Sequence, residues 1–410
     1  MERLFYVRMF LLPTGALANF GIANLIISDR GVSQYAVFAL LTSIPTLLPF
    51  LDLGFGSSVF NIYSTESDRK KSLEVVKVAF FSLIFILLIF LLLVTLLLTL
   101  NIGTSIFANL DYTQLKQTSF TLIALTVIST PMALATRKLQ TEHAHMRVAI
   151  SQSLSPIISF ILILVLTKLT NAPLFFLIIT PSLVNLLITV NLFFASKMQN
   201  GLRIPKFPLI STHLPEILKL GFWFVVLNSF YPIFWQIPRL KFQIAGDTQS
   251  VANFSLVLLI LAPSFSLIAS IAIWLSPHIR QANSEMEKFS LVKRGLKRSL
   301  ILVSVLNICL ISAFFVSEWV GLDFPSFTST VLVCANNYLI PFWVIPLSRF
   351  TERIEVRWFV KLTFPIVAVM TVLFIRSDYS TLNWVFPFYL YPIQIVITII
   401  CWSRLRYLTK

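Results

Sequence analysis

The chain has 410 residues, of which 57% are apolar and only 12% charged, and its formal net charge is +15. Soluble domains carry about 25% charged residues, so a soluble globular protein is excluded and most of the chain belongs in lipid. The positive charge does not indicate nucleic acid, because the lysines and arginines fall between apolar runs, where they set membrane orientation.

Apolar runs bounded by polar clusters predict twelve transmembrane helices, at roughly 9–28, 35–63, 75–100, 117–136, 148–167, 173–196, 217–239, 250–277, 299–316, 326–348, 358–375 and 382–402. The first follows Arg3 and Arg8 and holds "ALA" at 16–18. Pro13 and Gly15 interrupt it and the run continues to Ile27, so it reads as an uncleaved helix and not as a signal peptide. It carries Asn19 and Asn24. The second run contains "LDLGFGSSVF" (51–60), with Asp52 as its only charge. In the third, residues 78–100 run for 23 positions without a charge, proline or glycine, which is what a hydrocarbon core of ~30 Å requires. Strand-like alternation is missing, which excludes an outer-membrane barrel.

The later spans add further polar residues: Asn185 and Asn191 in the sixth, and Asn336 and Asn337 in the tenth. The seventh runs into "NSFYPIFWQIPRLKFQ" (228–243), which places Asn228, Trp235, Gln236, Arg239 and Lys241 towards its outer end. His143 and His145 lie in a basic loop and are expected to be solvated rather than to bind metal. Cys309, Cys334 and Cys401 fall within apolar spans without CxxC spacing and are expected to be free thiols.

With the N-terminus in the cytoplasm, 26 of the 32 lysines and arginines lie on the inner side and six on the outer, as the positive-inside rule requires of twelve spans with both termini cytoplasmic. The longest outer loop, 101–116, has about 16 residues and no soluble domain is inserted, so the work is expected inside the membrane.

The loop at 197–216 holds three prolines and follows the sixth span, which makes it the expected cytoplasmic linker between two six-helix bundles, 1–196 and 217–410. The halves echo each other. Asp29 precedes Pro45 by 16 residues and Asp247 precedes Pro263 by 16; Pro131 and Pro341 each stand ten residues before a "TE". An even number of spans per half gives parallel repeats about an axis along the membrane normal, around a central cavity, as in transporters. The expected fold is therefore an all-α integral membrane protein of two six-helix bundles.

Ionisable and amide groups inside spans mark candidate substrate-cavity positions. Asp52 lies 17 residues beyond Tyr35, about 25 Å of helix, which puts it in the inner half of the membrane. Two readings stand for it: a coupling-ion site or salt-bridge partner for a gate, or a neutral or helix-capping carboxylate where Gly54 and Gly56 loosen the helix. Arg239 either attracts a phosphate or snorkels to the interface; for Lys241 snorkelling is preferred. The amides Asn19, Asn24, Asn228, Gln236, Asn336 and Asn337 either join helices or line a wet cavity, and Trp235 suits a sugar ring or the lipid interface. No P-loop, nucleophile elbow or HExxH is present, so neither an ATPase nor a hydrolase is indicated.

The segments "SDRGVSQYAVFALLTSIPTLLPFLDLGFGSSVFN" (28–61) and "AGDTQSVANFSL" (245–256) resemble the Wzx-type polysaccharide-transporter family of the MOP superfamily. That resemblance implies a flippase carrying an undecaprenyl-pyrophosphate-linked oligosaccharide, such as an O-antigen repeat unit, from the inner to the outer leaflet of a bacterial inner membrane by alternating access. It implies a V-shaped, often cationic cavity, with Asp52 at the family's "DLG" position. It implies no cofactor, H+ or Na+ as candidate coupling ions, and as partners the lipid-linked glycan, membrane lipid, a glycan polymerase and a chain-length regulator, with no nucleic acid. The alternatives are a multidrug or small-molecule antiporter of the same superfamily and a membrane glycan polymerase or ligase; the short outer loops disfavour the latter.

Overall fold

A computed structural model describes residues 2–47, 52–65, 69–100, 112–141, 144–201, 204–282, 284–320, 327–347, 353–376 and 382–408. These residues are helical almost throughout, with no strand among them. The helices are α1 (Glu2–Arg30), α2 (Val32–Thr42), α3 (Ile44–Leu47), α4 (Phe55–Thr65), α5 (Arg69–Thr99), α6 (Tyr112–Thr141), α7 (His145–Leu169), α8 (Leu174–Ala195), α9 (Phe207–Ile244), α10 (Thr248–Gln281), α11 (Glu285–Val320), α12 (Phe327–Leu347), α13 (Arg353–Arg376) and α14 (Leu382–Leu408). Each expected apolar run coincides with one helix, except the second, which is divided among α2, α3 and α4. Among the described residues seven helices are long and apolar enough to cross a membrane, the most apolar being Ser72–Thr99 of α5.

The side chains of α5 show which solvent the fold expects. Leu92 is 71% exposed, and Phe85, Leu88, Ile89, Leu93 and Leu96 are exposed with it. A helix apolar on every face is suited to lipid, where such side chains cost nothing to expose.

The chain divides into two compact units, Met1–Ala252 and Asn253–Lys410. In the first, α1 packs on α7, α6 on α8 and α5, and α4 on α5, α6 and α9. Phe55 and Val59 of α4, Val75, Ala79 and Leu83 of α5, Leu134 of α6 and Ile217 of α9 form its core. At one end of this unit Arg30 donates to Asn171 Oδ1 (2.8 Å) and Ala172 O (3.0 Å), and Asp29 lies 3.5 Å from Lys168 Nζ, which fastens α1 to the α7–α8 turn. In the second unit α12 packs on α11 and α14, and α13 on α14. The three cysteines are free thiols as expected, Cys334 and Cys401 buried and Cys309 exposed.

Two segments expected as loops are largely helical. In the expected linker, Met198–Gly201 is a 3₁₀ turn and α9 begins at Phe207. Pro208 stands in the first turn of α9, where a fixed φ and a missing N–H are no handicap; the proline that signalled a loop opens a helix. Likewise α11 starts at Glu285, and its first turns are the charged stretch that follows the eighth expected run.

The division of the second run has a local cause. α4 is preceded by a turn at 52–54, in which Leu53 (φ 47°) and Gly54 (φ 71°) are left-handed. α4 then restarts with Phe55 N–H bonded to Asp52 O at 2.7 Å and Ser58 N–H to Gly54 O at 2.9 Å. The turn packs on α9 backbone to backbone: a Cβ at Gly54 would run into the Gly221 main chain, and one at Gly221 would lie 2.6 Å from Leu53 O. Ser58 Oγ donates to Ile217 O at 2.9 Å beside it.

Gly31 has φ +87° but open space around it. Gly31→Ala should therefore cost only backbone strain, about 1–3 kcal/mol, whereas Gly54→Ala adds a collision with α9. Thermal unfolding of the detergent-solubilised protein should show the larger loss for Gly54→Ala; equal losses would contradict the close approach of α4 and α9.

Candidate functional site

The restart of α4 exposes backbone N–H groups, and Asp52 meets them. Its carboxylate accepts from Gly54 N–H (2.6 Å) and also from Gly56 N–H. Negative charge at a helix N-terminus is favoured by both the free N–H groups and the macrodipole. The expected capping role is thus present, and the charge has in addition a cationic neighbour, Arg137 in the last turns of α6. The two meet over Gly56: a Cβ there would lie 2.7 Å from Asp52 Oδ2 and 3.4 Å from Arg137 Nε. Gly56 is the space the pair occupies. Arg137 Nη1 also donates to Gln140 Oε1 at 3.3 Å, and the adjacent Lys138 is turned away, donating to Ser196 O at the C-cap of α8 (2.7 Å).

Asp52 and Arg137 both line a partly open cavity of about 440 Å³ between the α3–α4 region, α6 and α8. From α6 it is lined by Thr126, Ser129, Thr130, Ala133 and Arg137, and from α8 by Ser182, Asn185 and Thr189. Each set follows the three- and four-residue spacing of one helix face. Pro45, Leu125 and Leu134 complete the wall with apolar surface. The hydroxyls are ordered by their own helices: Thr126 donates to Leu122 O (2.7 Å), Ser129 and Thr130 to Thr126 O (3.0 and 2.7 Å), and Thr189 to Asn185 O (2.8 Å).

Of the candidate cavity residues named from the sequence whose side chains the structure describes, Asp52 alone lines this cavity; Asn185, noted there as an amide within a span, lines it too. Asn19 is half-buried on α1, and Asn24 Nδ2 donates to Phe20 O of the same helix at 3.2 Å. The side chains of Asn228 and Trp235 lie outside the described residues. Gln236 and Arg239 are buried together: Arg239 Nη1 donates to Gln236 Oε1 at 3.2 Å and to Ala39 O of α2 at 3.4 Å. Asn336 and Asn337 lie in the second unit in a buried amide chain, Asn337 Nδ2 donating to Asn307 Oδ1 (2.9 Å) and Gln394 Nε2 to Asn336 Oδ1 (2.6 Å), so these amides join α11, α12 and α14. His143 and the side chain of His145 lie outside the described residues. Arg137 and the hydroxyl stripe of α6 are the residues that sequence reasoning missed. A signal for them exists: 126, 129, 130, 133 and 137 share a helix face, although Arg137 reads in the sequence as part of a solvated basic loop.

No protein-family model and no curated protein matches the sequence. Solved structures do match. The MATE multidrug transporter DinF-BH aligns with 98% of this chain over 96% of its own, at a TM-score of 0.69 and 12% identity. A MOP superfamily transporter from Pyrococcus furiosus aligns with 99% of this chain over 96% of its own, at 0.67 and 14% identity. The eukaryotic MATE transporter AtDTX14 covers 99% of both chains at 0.65 and 12% identity. The fold is that of the MOP-superfamily transporters. On this fold the cavity of α4, α6 and α8 is a polar chamber inside a single unit, with an acid and a base in its lining.

Removal of one of two neighbouring opposite charges leaves the other without its compensation. Asp52→Asn and Arg137→Gln should each lower the unfolding temperature, and the double variant should lose less than the sum of the two. A coupling of about 1–2 kcal/mol is expected, measured by a double-mutant cycle in detergent; strict additivity would mean that the two groups do not interact.

Proposed function

We propose that the chain is a transporter of the MOP superfamily that flips an undecaprenyl-pyrophosphate-linked oligosaccharide from the inner to the outer leaflet of a bacterial inner membrane, by alternating access and with both termini in the cytoplasm. The observation that carries this reading is the cavity of about 440 Å³ lined by hydroxyls, an amide, an acid and a cation, built into a bundle that exposes many leucine, isoleucine, valine and phenylalanine side chains. A lipid-soluble cargo with a water-loving head needs that combination. The sugar head cannot cross hydrocarbon without replacing its hydration, while its polyprenyl tail stays among lipid chains. The resemblance of residues 28–61 to the polysaccharide branch points the same way, and the turn that carries it supplies Asp52 to the cavity.

A multidrug antiporter is the second reading, and it is favoured by the likeness to a MATE multidrug transporter. The two differ in what accumulates. Deletion of the gene should leave the undecaprenyl-linked intermediate in the inner leaflet, with export of the corresponding glycan lost and sensitivity to cationic dyes unchanged. Outer-leaflet repeat units that fail to polymerise would indicate a polymerase instead, and heightened dye sensitivity with normal glycan would indicate the antiporter. Within the transporter, Asp52→Asn should insert normally and reduce export; unchanged glycan output in that variant would remove Asp52 from the transport cycle.

A further inference from the structure

The donors and acceptors of the cavity wall define the chemistry of the ligand it suits. A serine or threonine hydroxyl has one proton to give and two lone pairs to offer. At Thr126, Ser129, Thr130 and Thr189 the proton is already given to a carbonyl three or four residues earlier in the same helix. Towards the cavity these four oxygens only accept. The Asp52 carboxylate is acceptor-only when ionised, and it too faces the cavity. Against these acceptors the described wall offers the Arg137 guanidinium, the Asn185 amide and the Ser182 hydroxyl as donors.

Such a wall asks for a ligand rich in O–H or N–H donors. A diphosphate brings only acceptor oxygens and negative charge. It would face four hydroxyl oxygens whose protons are given to their own helices, and its negative charge would meet the carboxylate of Asp52 as well as Arg137. An organic cation fares little better, because Asp52 and Arg137 cancel and no aromatic ring lies among the described lining residues to hold it by its face. A sugar hydroxyl donates and accepts at once, so it satisfies the acceptors and uses the three donors, and the C–H faces of the ring match Pro45, Leu125, Ala133 and Leu134. The volume, about 440 Å³, falls in the range of ~300–1,000 Å³ typical of small-ligand sites.

We propose that the cavity of α4, α6 and α8 is a saccharide-binding subsite that takes neutral, hydroxyl-bearing sugar residues of the cargo and excludes its diphosphate. As an assignment of the cargo's glycan end this rests on the flippase reading, but saccharide binding itself is measurable without transport. Asp52 and Arg137 are its charged groups, and the α6 hydroxyl stripe is its recognising wall.

The test uses the full chain in detergent with Cys309, Cys334 and Cys401 replaced by serine and Ser129→Cys as the sole thiol. Alkylation of that thiol by N-ethylmaleimide is timed with a panel of neutral hexoses, N-acetylhexosamines and their disaccharides, with inorganic pyrophosphate, and with the cationic dye ethidium. At ten times its dissociation constant a bound saccharide should slow alkylation about tenfold, and pyrophosphate and ethidium should not protect. Thr126→Val and Thr130→Val, which keep shape and remove an acceptor, should each weaken protection about 2- to 10-fold. Should the cysteine variants fold poorly, saccharide-dependent elevation of the unfolding temperature of the unmodified protein gives the same answer, again with no elevation by pyrophosphate. Protection by pyrophosphate or by ethidium alone, or by none of the probes, overturns the proposal. Saccharide protection in a protein whose deletion leaves the leaflet distribution of the lipid-linked intermediate unchanged would uphold the subsite and refute the flippase reading. Inner-leaflet accumulation without saccharide protection would do the reverse.

Discussion

A helix that breaks within an apolar bundle exposes backbone N–H groups that lipid cannot satisfy, and in this chain a carboxylate answers that need. Asp52 accepts from Gly54 and Gly56 and lets α4 restart after the turn. Much of the first unit's organisation follows from that one carboxylate. A negative charge placed among apolar helices needs a positive neighbour, which Arg137 of α6 provides, and the pair needs room, which the missing side chain of Gly56 provides. Once acid and base stand together the adjoining space is polar, and the hydroxyls of α6 and α8 extend that polarity along the cavity. A requirement of backbone chemistry thereby becomes a chamber that tolerates a hydrated ligand.

The overall architecture was legible in the sequence because lipid imposes a length on every apolar run. All twelve expected runs have helices in the structure. What periodicity and composition did not convey was how helices continue beyond the hydrocarbon: α9 and α11 begin in charged or proline-containing segments that look like loops. Nor do equal offsets in the sequence mean equal roles. Asp29 sits at the end of α1 beside Arg30 and Lys168. Asp247, its counterpart in the second half, instead caps the start of α10 by accepting from Ser250 N–H at 2.9 Å and Ser250 Oγ at 2.6 Å.

The site was half legible. Asp52 stood out because a lone acid in an apolar run is expensive. Its partner did not, because Arg137 sits where a span ends and a basic loop was expected, and cations there are ordinary. Serine and threonine were invisible for a related reason: their hydroxyls bond back to their own helix at little cost, so they leave no mark on hydropathy. Arg239, by contrast, drew attention as a cation in a span, and it is spent on Gln236 and a carbonyl of α2. Rarity in the sequence identified the costly residues, whereas the cavity is made mostly of cheap ones.

The contact of Gly54 with Gly221 carries a consequence for how such chains vary over evolution. Neither position can be repaired by a change at the other, because each already lacks a side chain and the collision would be with main chain. The two glycines, far apart in sequence, form a joint constraint that admits no compensating drift. A related chain that kept this turn and this crossing would have to keep both glycines, and one that lost either would have to part the helices. Their joint presence is thus a marker for this helix crossing that survives when overall sequence identity has fallen too low to show common descent.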